Sequence, residues 1–516
     1  MQVKGLILII MLGLAGCTTL PDQVERTRSS ALTDTQDSLL AQVIHDDLEA
    51  HPGQSGFLLL GSGLDAFVAR AVLAEMAELS LDVQYYLYHN DLTGRLFTHQ
   101  LLKAADRGVR VRLLVDDMGL EGRDLGAAAL DAHPNIEIRI INPFIRGQSR
   151  LTQYVTRLGK VTRRMHNKSF TADNQATILG GRNIGNEYFE ADPELEFGDL
   201  DVLAIGPAVQ QASNVFDLYW NSELAYPVSS LVKQRPSEQE LAVLRANLDA
   251  FVDQQAGSEY AIALRESDLA QRLLADKVEF YWGEGRIVYD HPSKLVEDRG
   301  RTDLHLTNQL QSVFDEVRRG LIIFSPYFVP TRDGVDKLVG LSRAGVRVRI
   351  LTNSLASTDV GVVHAGYAKY RKPLLRGGVE LYEMNKRLTR KQRKEMKGLE
   401  GSSKASLHAK SFVFDRQRVF IGSLNLDPRS VVENTEVGVV VDSPDMAAEM
   451  ADWFDGHIER IAFRLELVRD ESGRERLRWH GREAGEPVTY DTEPYTGFWR
   501  RLGVKLLSLL PIESQL

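Results

Sequence analysis

Met165-His166-Asn167-Lys168-Ser169-Phe170-Thr171-Ala172-Asp173 is written a second time, 242 positions later, as Leu407-His408-Ala409-Lys410-Ser411-Phe412-Val413-Phe414-Asp415. Each stretch is followed at the same distance by a glycine and an asparagine, in Gly180-Gly181-Arg182-Asn183 and in Gly422-Ser423-Leu424-Asn425. Alternate residues of an extended strand project to one face, so each His and Lys pair points together into one site. The echo continues upstream, where Ala104-Ala105-Asp106-Arg107-Gly108-Val109-Arg110-Val111-Arg112-Leu113-Leu114 answers Leu341-Ser342-Arg343-Ala344-Gly345-Val346-Arg347-Val348-Arg349-Ile350-Leu351. In both, a helical pattern stops at a glycine and an alternating, β-branched strand follows. A further apolar strand precedes each, at 81–87 and 321–325. Strand, helix and strand, given twice, imply two tandem α/β domains, each a mainly parallel mixed sheet flanked by helices.

The 516 residues, 43% of them apolar, supply at least two packed cores and exclude disorder and collagen. A net charge of -9 gives no global positive field for nucleic acid, so any basic surface is local. The lone Cys17 excludes internal disulfides and a thiolate zinc site. Lys4, the apolar run 5–14 and the small pair Ala15-Gly16 read as an export signal, too short to span a hydrocarbon core of about 30 Å. The expected organisation is a signal peptide at 1–16, a tether and leading helix at 17–54 and a first domain at 55–228. A helical connector at 229–302, a second domain at 303–465 and a C-terminal extension at 466–516 follow. The extension reads as a hairpin around Asp470-Glu471-Ser472-Gly473, then an amphipathic segment from Phe498 to Leu510, read as docked on its own domain before lying on a bilayer.

An imidazole beside an ammonium suits a phosphodiester. The ring can attack phosphorus, dividing a hard displacement into two easier ones, while the lysine meets charge on the phosphoryl oxygens. A second pair adds an acid for the leaving group and a base for the incoming one, which gives the duplication a chemical reason. Asp116-Asp117 lacks the further ligands of an oxygen-rich metal site and reads as strand-end capping. No metal and no cofactor are expected.

The His-x-Lys-x4-Asp spacing, present twice, resembles the signature of the phospholipase D superfamily. That resemblance implies two repeats packed about a pseudo-twofold axis and sharing one active site, so no oligomer is required. The catalytic set it carries over is His166, Lys168, Asp173, His408, Lys410, Asp415, Glu436 and Asp199, with His166 as nucleophile and His408 as general acid and base. The spacing itself assigns the two motif aspartates differently: an extended strand would put Asp173 more than about 20 Å from His166 and on the other face. Asp173-Asn174 and Asp415-Arg416 look like hairpin turns, where aspartate bonds nearby amides. Orienting a histidine falls better to Glu436, on a later strand returning beside the first, with Asp199 as its counterpart. Asn183, Ser423 and Asn425 resemble the family's phosphate-side donors, and Gly181 stands where the second copy has Ser423.

Residues from about 35 onward most resemble the bacterial branch related to cardiolipin synthase C, through Arg164–Phe170, Gly180–Phe189 and Tyr219-Trp220-Asn221-Ser222. The resemblance implies a membrane-anchored phosphatidyltransferase that moves a phosphatidyl group between phospholipids through a phosphohistidine. Hydrolytic release of phosphatidic acid, a nuclease-type phosphodiesterase and a silent lipid-binding scaffold are the alternatives. Leu14-Ala15-Gly16-Cys17 looks like a lipobox, making Cys17 the lipidated anchor to a bacterial membrane on the periplasmic side, and Thr18 resembles an outer-membrane address, with the inner membrane as the alternative. Basic stretches before each motif (Arg146, Arg150, Arg157, Lys160, Arg163, Arg164; Lys386, Arg387, Arg390, Lys391, Arg393, Lys394, Lys397) are expected to concentrate an anionic phospholipid substrate; nucleic acid is not the expected partner.

Overall fold

The computed structural model describes residues 20–508 apart from 22–23, 121, 158, 193–195, 234–235, 276, 388–404 and 484. The signal segment, Cys17, Leu510 and the basic residues Arg390 to Lys397 lie outside the described residues. The first repeat is built on β1 (Ser55–Leu60), β2 (Ser80–Tyr85), β3 (Arg110–Asp116), β4 (Ile136–Ile141), β5 (Ser169–Ala172), β6 (Ala176–Gly180), β7 (Glu196–Gly198), β8 (Asp201–Ile205) and β9 (Ala225–Pro227). After β10 (Tyr281–Tyr289), the second repeat uses β11 (Gly320–Phe324), β12 (Arg347–Thr352), β13 (Glu380–Met384), β14 (Ala405–Leu407), β15 (Ser411–Phe414), β16 (Arg418–Gly422) and β17 (Val437–Asp442). The chain ends on β18 (Ala462–Arg469), β19 (Glu475–Glu483), β20 (Glu486–Tyr490) and a helix, Phe498–Leu507.

The helix-to-strand joins fall where the echo places them. Helix Leu92–Asp106 is capped by the Asp91 side chain on the Gly94 amide and gives way to β3 through Gly108, at φ +100°. Helix Thr331–Arg343 reaches β12 through Gly345, at φ +93°. Only glycine adopts that backbone without strain, and it lets the chain reverse at once into the sheet.

In each repeat three strands are parallel, β2-β3-β4 and β11-β12-β13. The sheets are mixed as expected, but not mainly parallel: β5, β6, β8 and β1 add antiparallel pairings in the first, and β15, β16, β17 and β10 in the second. The physical reason is that the motif strands turn back through tight hairpins, which can only join antiparallel neighbours. The connector is likewise not wholly helical. Helices Glu238–Gln255, Glu259–Arg265 and Asp268–Leu274 are followed by β10, whose first residues pair with β1 and whose remainder pairs with β17. One strand therefore belongs to both sheets and fixes their relative position.

Helices Gly63–Met76 and Leu92–Asp106 cover the outer face of the first sheet, and Leu306–Asp315 and Thr331–Arg343 that of the second. Between the sheets lies a shared core, in which Phe216 and Trp220 of helix Pro207–Trp220 join Met450 and Phe454 of helix Pro444–Ile461. Burying both inner faces against each other makes the two repeats one body. The C-terminal extension forms the expected hairpin at Asp470–Gly473, and the last helix docks through Val504 on Leu355 and Ala365.

The motif aspartates lie in the hairpins. Asp173 and Asn174 have φ of +48° and +52°, and Asp415 and Arg416 +53° and +59°, the signature of a type I′ turn. Asp173 accepts hydrogen bonds from the amides of Glu78, Leu79 and Ser80 at 2.8–2.9 Å, and Asp415 from those of Arg318, Arg319 and Gly320 at 2.7–2.9 Å. Each carboxylate thus clamps the hairpin to the start of its antiparallel neighbour, β2 or β11, and is spent on backbone, not chemistry. The catalytic assignment of Asp173 and Asp415 is corrected accordingly. Because Asp173 is wholly buried and Asp415 partly exposed, Asp173→Ala is expected to cost about 3 kcal/mol of folding free energy, by leaving buried amides unpaired, and Asp415→Ala about 1 kcal/mol. Equilibrium unfolding in denaturant checks the ranking.

Candidate active site

Each motif histidine is oriented by the other repeat. The chain before His166 runs parallel to the chain before Glu436, with Met165 bridged to Thr435, and the His166 amide donates to the Thr435 carbonyl at 2.8 Å. The chain before His408 pairs in the same sense with the chain before Asp199: β14 lies parallel to β7, and the His408 amide donates to the Gly198 carbonyl at 2.7 Å. His166 Nδ1 consequently meets Glu436 Oε2 at 2.8 Å, and His408 Nδ1 meets Asp199 Oδ2 at 2.5 Å. The expectation that the acid's strand returns beside its own histidine is corrected: both acids reach across the pseudo-twofold.

Strand ends hold these segments in place. Asp116, the last residue of β3, accepts from the Met165 amide at 3.0 Å and binds Arg164 at 2.9 Å. Asn353, which follows β12, accepts from the Leu407 amide at 2.9 Å. Asp290 accepts from the Glu436 amide at 2.8 Å, and the Arg182 guanidinium donates to the Asp199 carbonyl at 2.8 Å. Tyr86 stands edge-on to the His166 ring at 4.9 Å, while Tyr188 and Phe197 pack on His408 at 5.3 and 5.0 Å. Sequence reasoning gave Asp116 its capping role but not its address; the matching position of Asn353 in the second copy was the signal available. Tyr188 and Phe197 lie between Asn183 and Asp199, a segment longer than its counterpart between Asn425 and Glu436.

The two half-sites differ electrostatically. All four side chains of the His and Lys pairs are buried. Burial pushes His166 well below its ordinary value, with Lys168, Lys410 and His408 acting in the same direction, so the ring is neutral at physiological pH. His408 is also lowered by burial and by Lys410, but Asp199 pulls it back. Asp199 is held far below the usual carboxylate range, since His408 and Lys410 outweigh the burial that would raise it. Glu436, by contrast, is pushed up to about 7 by burial, against Lys168 and the Ser423 hydroxyl. Burial lowers the Lys410 ammonium to about 8 and holds Lys168 well below the ordinary lysine value, against the pull of Glu436. Each lysine donates back to its own histidine's carbonyl, Lys168 at 2.6 Å. When ionised, the acid on Nδ1 fixes the ring proton there and leaves Nε2 as the free nitrogen of a neutral ring; Asp199 is ionised at neutral pH, and Glu436 is ionised above about pH 7.

The remaining assigned residues divide. Ser423 donates to Glu436 Oε2 at 2.5 Å and accepts from the Val437 amide, so it steadies the acid. At the corresponding place a side chain is excluded, because a Cβ on Gly181 would lie 2.2 Å from Asp199 Oδ1. Asn183 is committed to the Leu87 amide and the Tyr188 hydroxyl. Asn425 is buried, and its Oδ1 has no partner among the described residues. The first basic stretch is largely structural: Arg146 pairs with Asp117 and Asp124, Arg163 with Glu433 and Arg164 with Asp116. Arg387 lies over the Tyr495 ring. Away from the histidines, donor atoms of His89, Asp91 and Glu187 lie within 4.8 Å of one another, but Asp91 already caps a helix and accepts from the Asn186 amide.

Residues 73–220 and 310–458 match the family described as cardiolipin synthase, PLD-like domain, once per repeat and over more than half of the chain. The chain is 43% identical over 477 residues to cardiolipin synthase C of Escherichia coli, covering 92% of this chain and 99% of that one. It is 32% identical over 505 residues to an uncharacterised protein of Helicobacter pylori, at 96% coverage of both. The crystal structure of phosphatidylserine synthase from Haemophilus influenzae superposes with a TM-score of 0.54 over 83% of this chain and 92% of that one, at 14% identity, and so shares the fold.

Gly181→Ala is expected to displace the Asp199 carboxylate from His408 and lower kcat/KM at least about 100-fold, a loss typical of removing an orienting partner. Ser423→Ala, which removes one hydrogen bond to Glu436, is expected to cost about tenfold. Steady-state kinetics on a phosphodiester substrate check both, with circular dichroism confirming an intact fold.

Proposed function

The chain belongs to the cardiolipin synthase, PLD-like family, and from that premise we propose that it transfers a phosphatidyl group from one phospholipid to the alcohol of another through a phosphohistidine on His166. The observation that carries the division of labour is the inequality of the crossed pairs. His166 is neutral, with Nε2 unprotonated, and is the better nucleophile. His408 faces an ionised Asp199, which favours the imidazolium and makes it the better acid.

In the first step the His166 Nε2 lone pair forms a bond to phosphorus, the bond to the leaving alcohol's oxygen breaks, and His408 gives that oxygen its proton. In the second, the acceptor alcohol gives its proton to His408 while its oxygen attacks phosphorus and His166 departs. Lys168 and Lys410 meet the charge on the non-bridging oxygens, which is greatest as the bonds change. With water as acceptor the same steps release phosphatidic acid. The full-length likeness to a cardiolipin synthase favours a lipid alcohol. Cys17 is the proposed lipid anchor, holding the enzyme on the periplasmic side of the envelope at the outer membrane; no described helix is long and apolar enough to cross a bilayer.

With phosphatidylglycerol carrying a labelled phosphate, the expected product by lipid mass spectrometry is cardiolipin with release of glycerol; phosphatidic acid as the sole product would replace transfer by hydrolysis. His166→Ala is expected to abolish covalent labelling of the chain, and His408→Ala to retain the label while turnover falls at least about 1000-fold. The sign of the pH dependence follows from Lys410. Raising the pH through about 8 removes its positive charge in the free enzyme, so kcat/KM is expected to fall more steeply above pH 8, beyond the decline that begins at lower pH as His408 loses its proton. An anionic phosphate holds the Lys410 proton on, so the limb in kcat lies higher.

A further inference from the structure

Seven large apolar side chains are at least 60% exposed among the described residues, and five of them lie on three helices at the catalytic rim. Leu125 (68%) opens helix Asp124–Asp131, and Leu151 (76%) and Val155 (75%) lie on helix Arg150–Thr156. Phe498 (62%) and Trp499 (79%) lie on the terminal helix, where Leu506 is also exposed at 58%. The rim is defined by the carboxyl ends of the parallel strands, because Asp116 and Asn353 at those ends hold the residues preceding His166 and His408. Arg150 donates to the Asp117 carbonyl, and Arg146 ties Asp117 to Asp124, so the first two helices are fixed at the end of β3. The terminal helix packs through Val504 on Leu355 and Ala365, in the segment leaving β12.

Charge selects the partner. Helix Arg150–Thr156 and the terminal helix contain no acidic residue, in a chain of net charge -9, and the terminal helix carries Arg500, Arg501 and Lys505 beside its apolar side chains. A tryptophan and a phenylalanine with flanking cations suit the boundary between anionic headgroups and acyl chains. We infer that this rim rests on an anionic phospholipid bilayer, the terminal helix and helix Arg150–Thr156 dipping their apolar side chains into the headgroup boundary so that the buried histidines open toward the lipid. The inference rests on the lipid-substrate reading above and adds the face that meets the membrane.

The test reconstitutes the full-length chain in vesicles of phosphatidylethanolamine and phosphatidylglycerol whose acyl chains carry bromine near the headgroup. Tryptophan emission is compared with that of Trp499→Phe. The emission contributed by Trp499, seen as the difference between the two proteins in unbrominated vesicles, is expected to vanish in brominated ones; a difference that bromine leaves unchanged overturns the inference. In a second arm, the combined variant Leu151→Ser, Trp499→Ser and Leu506→Ser is expected to turn over vesicle lipid about tenfold more slowly and dihexanoyl phosphatidylglycerol, below its micellar concentration, at an unchanged rate. Equal loss on both forms would mean that the rim serves the site and not the bilayer, which also overturns it. If the parent chain turns over neither form, the lipid-substrate reading fails, and quenching by bromine still decides whether this face meets the membrane.

Discussion

Everything about the site follows from one exchange: each histidine takes its orienting carboxylate from the opposite repeat. Asp199 and Glu436 are wholly buried, and a buried charge is tolerated only when a partner and hydrogen bonds compensate for its lost water. Neither repeat holds a complete pair by itself. The exchange therefore requires the inner faces of both sheets to be packed together and the β10 strand to fix how they meet. The short parallel ladder of β7 and β14, and the bridge from Met165 to Thr435, set the last few ångströms.

The duplication is symmetric in backbone and asymmetric in acid. Asp199 is a short side chain over a glycine, and its carboxylate fills the space a Cβ on Gly181 would take. Glu436 is one carbon longer, with the Ser423 hydroxyl against it. A carboxylate fixed beside two cationic partners stays ionised, while one dominated by burial drifts up to about 7. Two identical half-sites would compete for the same proton. One carbon in the acid and one side chain beneath it accompany carboxylates shifted in opposite directions, an inequality that suits the proposed separation of nucleophile and acid.

Much of this was legible in the chain. The repeated His and Lys pairs, the glycine stops at Gly108 and Gly345 and the paired hairpin signals at Asp173 and Asp415 are local, and local propensity and spacing express them directly. The acids were harder, because Glu436 and Asp199 sit at unequal distances from their motifs and their partners lie in the other repeat. The mixed sheets were legible too, but not the predominance of antiparallel pairings, because the turns at Asp173 and Asp415 are local while the strands that flank each hairpin are distant in sequence. The basic stretch before His166 looked like a substrate funnel only because its counter-charges, Asp116, Asp117, Asp124 and Glu433, are distant in sequence or face inward.

The amino-acid order alone determined that there are two α/β repeats, that each contributes an imidazole and an ammonium, and that phosphodiester chemistry suits them, since these depend on spacing within one strand or one strand-helix-strand unit. Only the packed molecule decided which acid serves which histidine, why Gly181 stands where the other copy has Ser423, and that the amides held by the motif aspartates are those of 78–80 and 318–320. Those outcomes depend on contacts between segments up to 270 positions apart, and a one-dimensional pattern carries no distance between residues that meet only when both cores are closed.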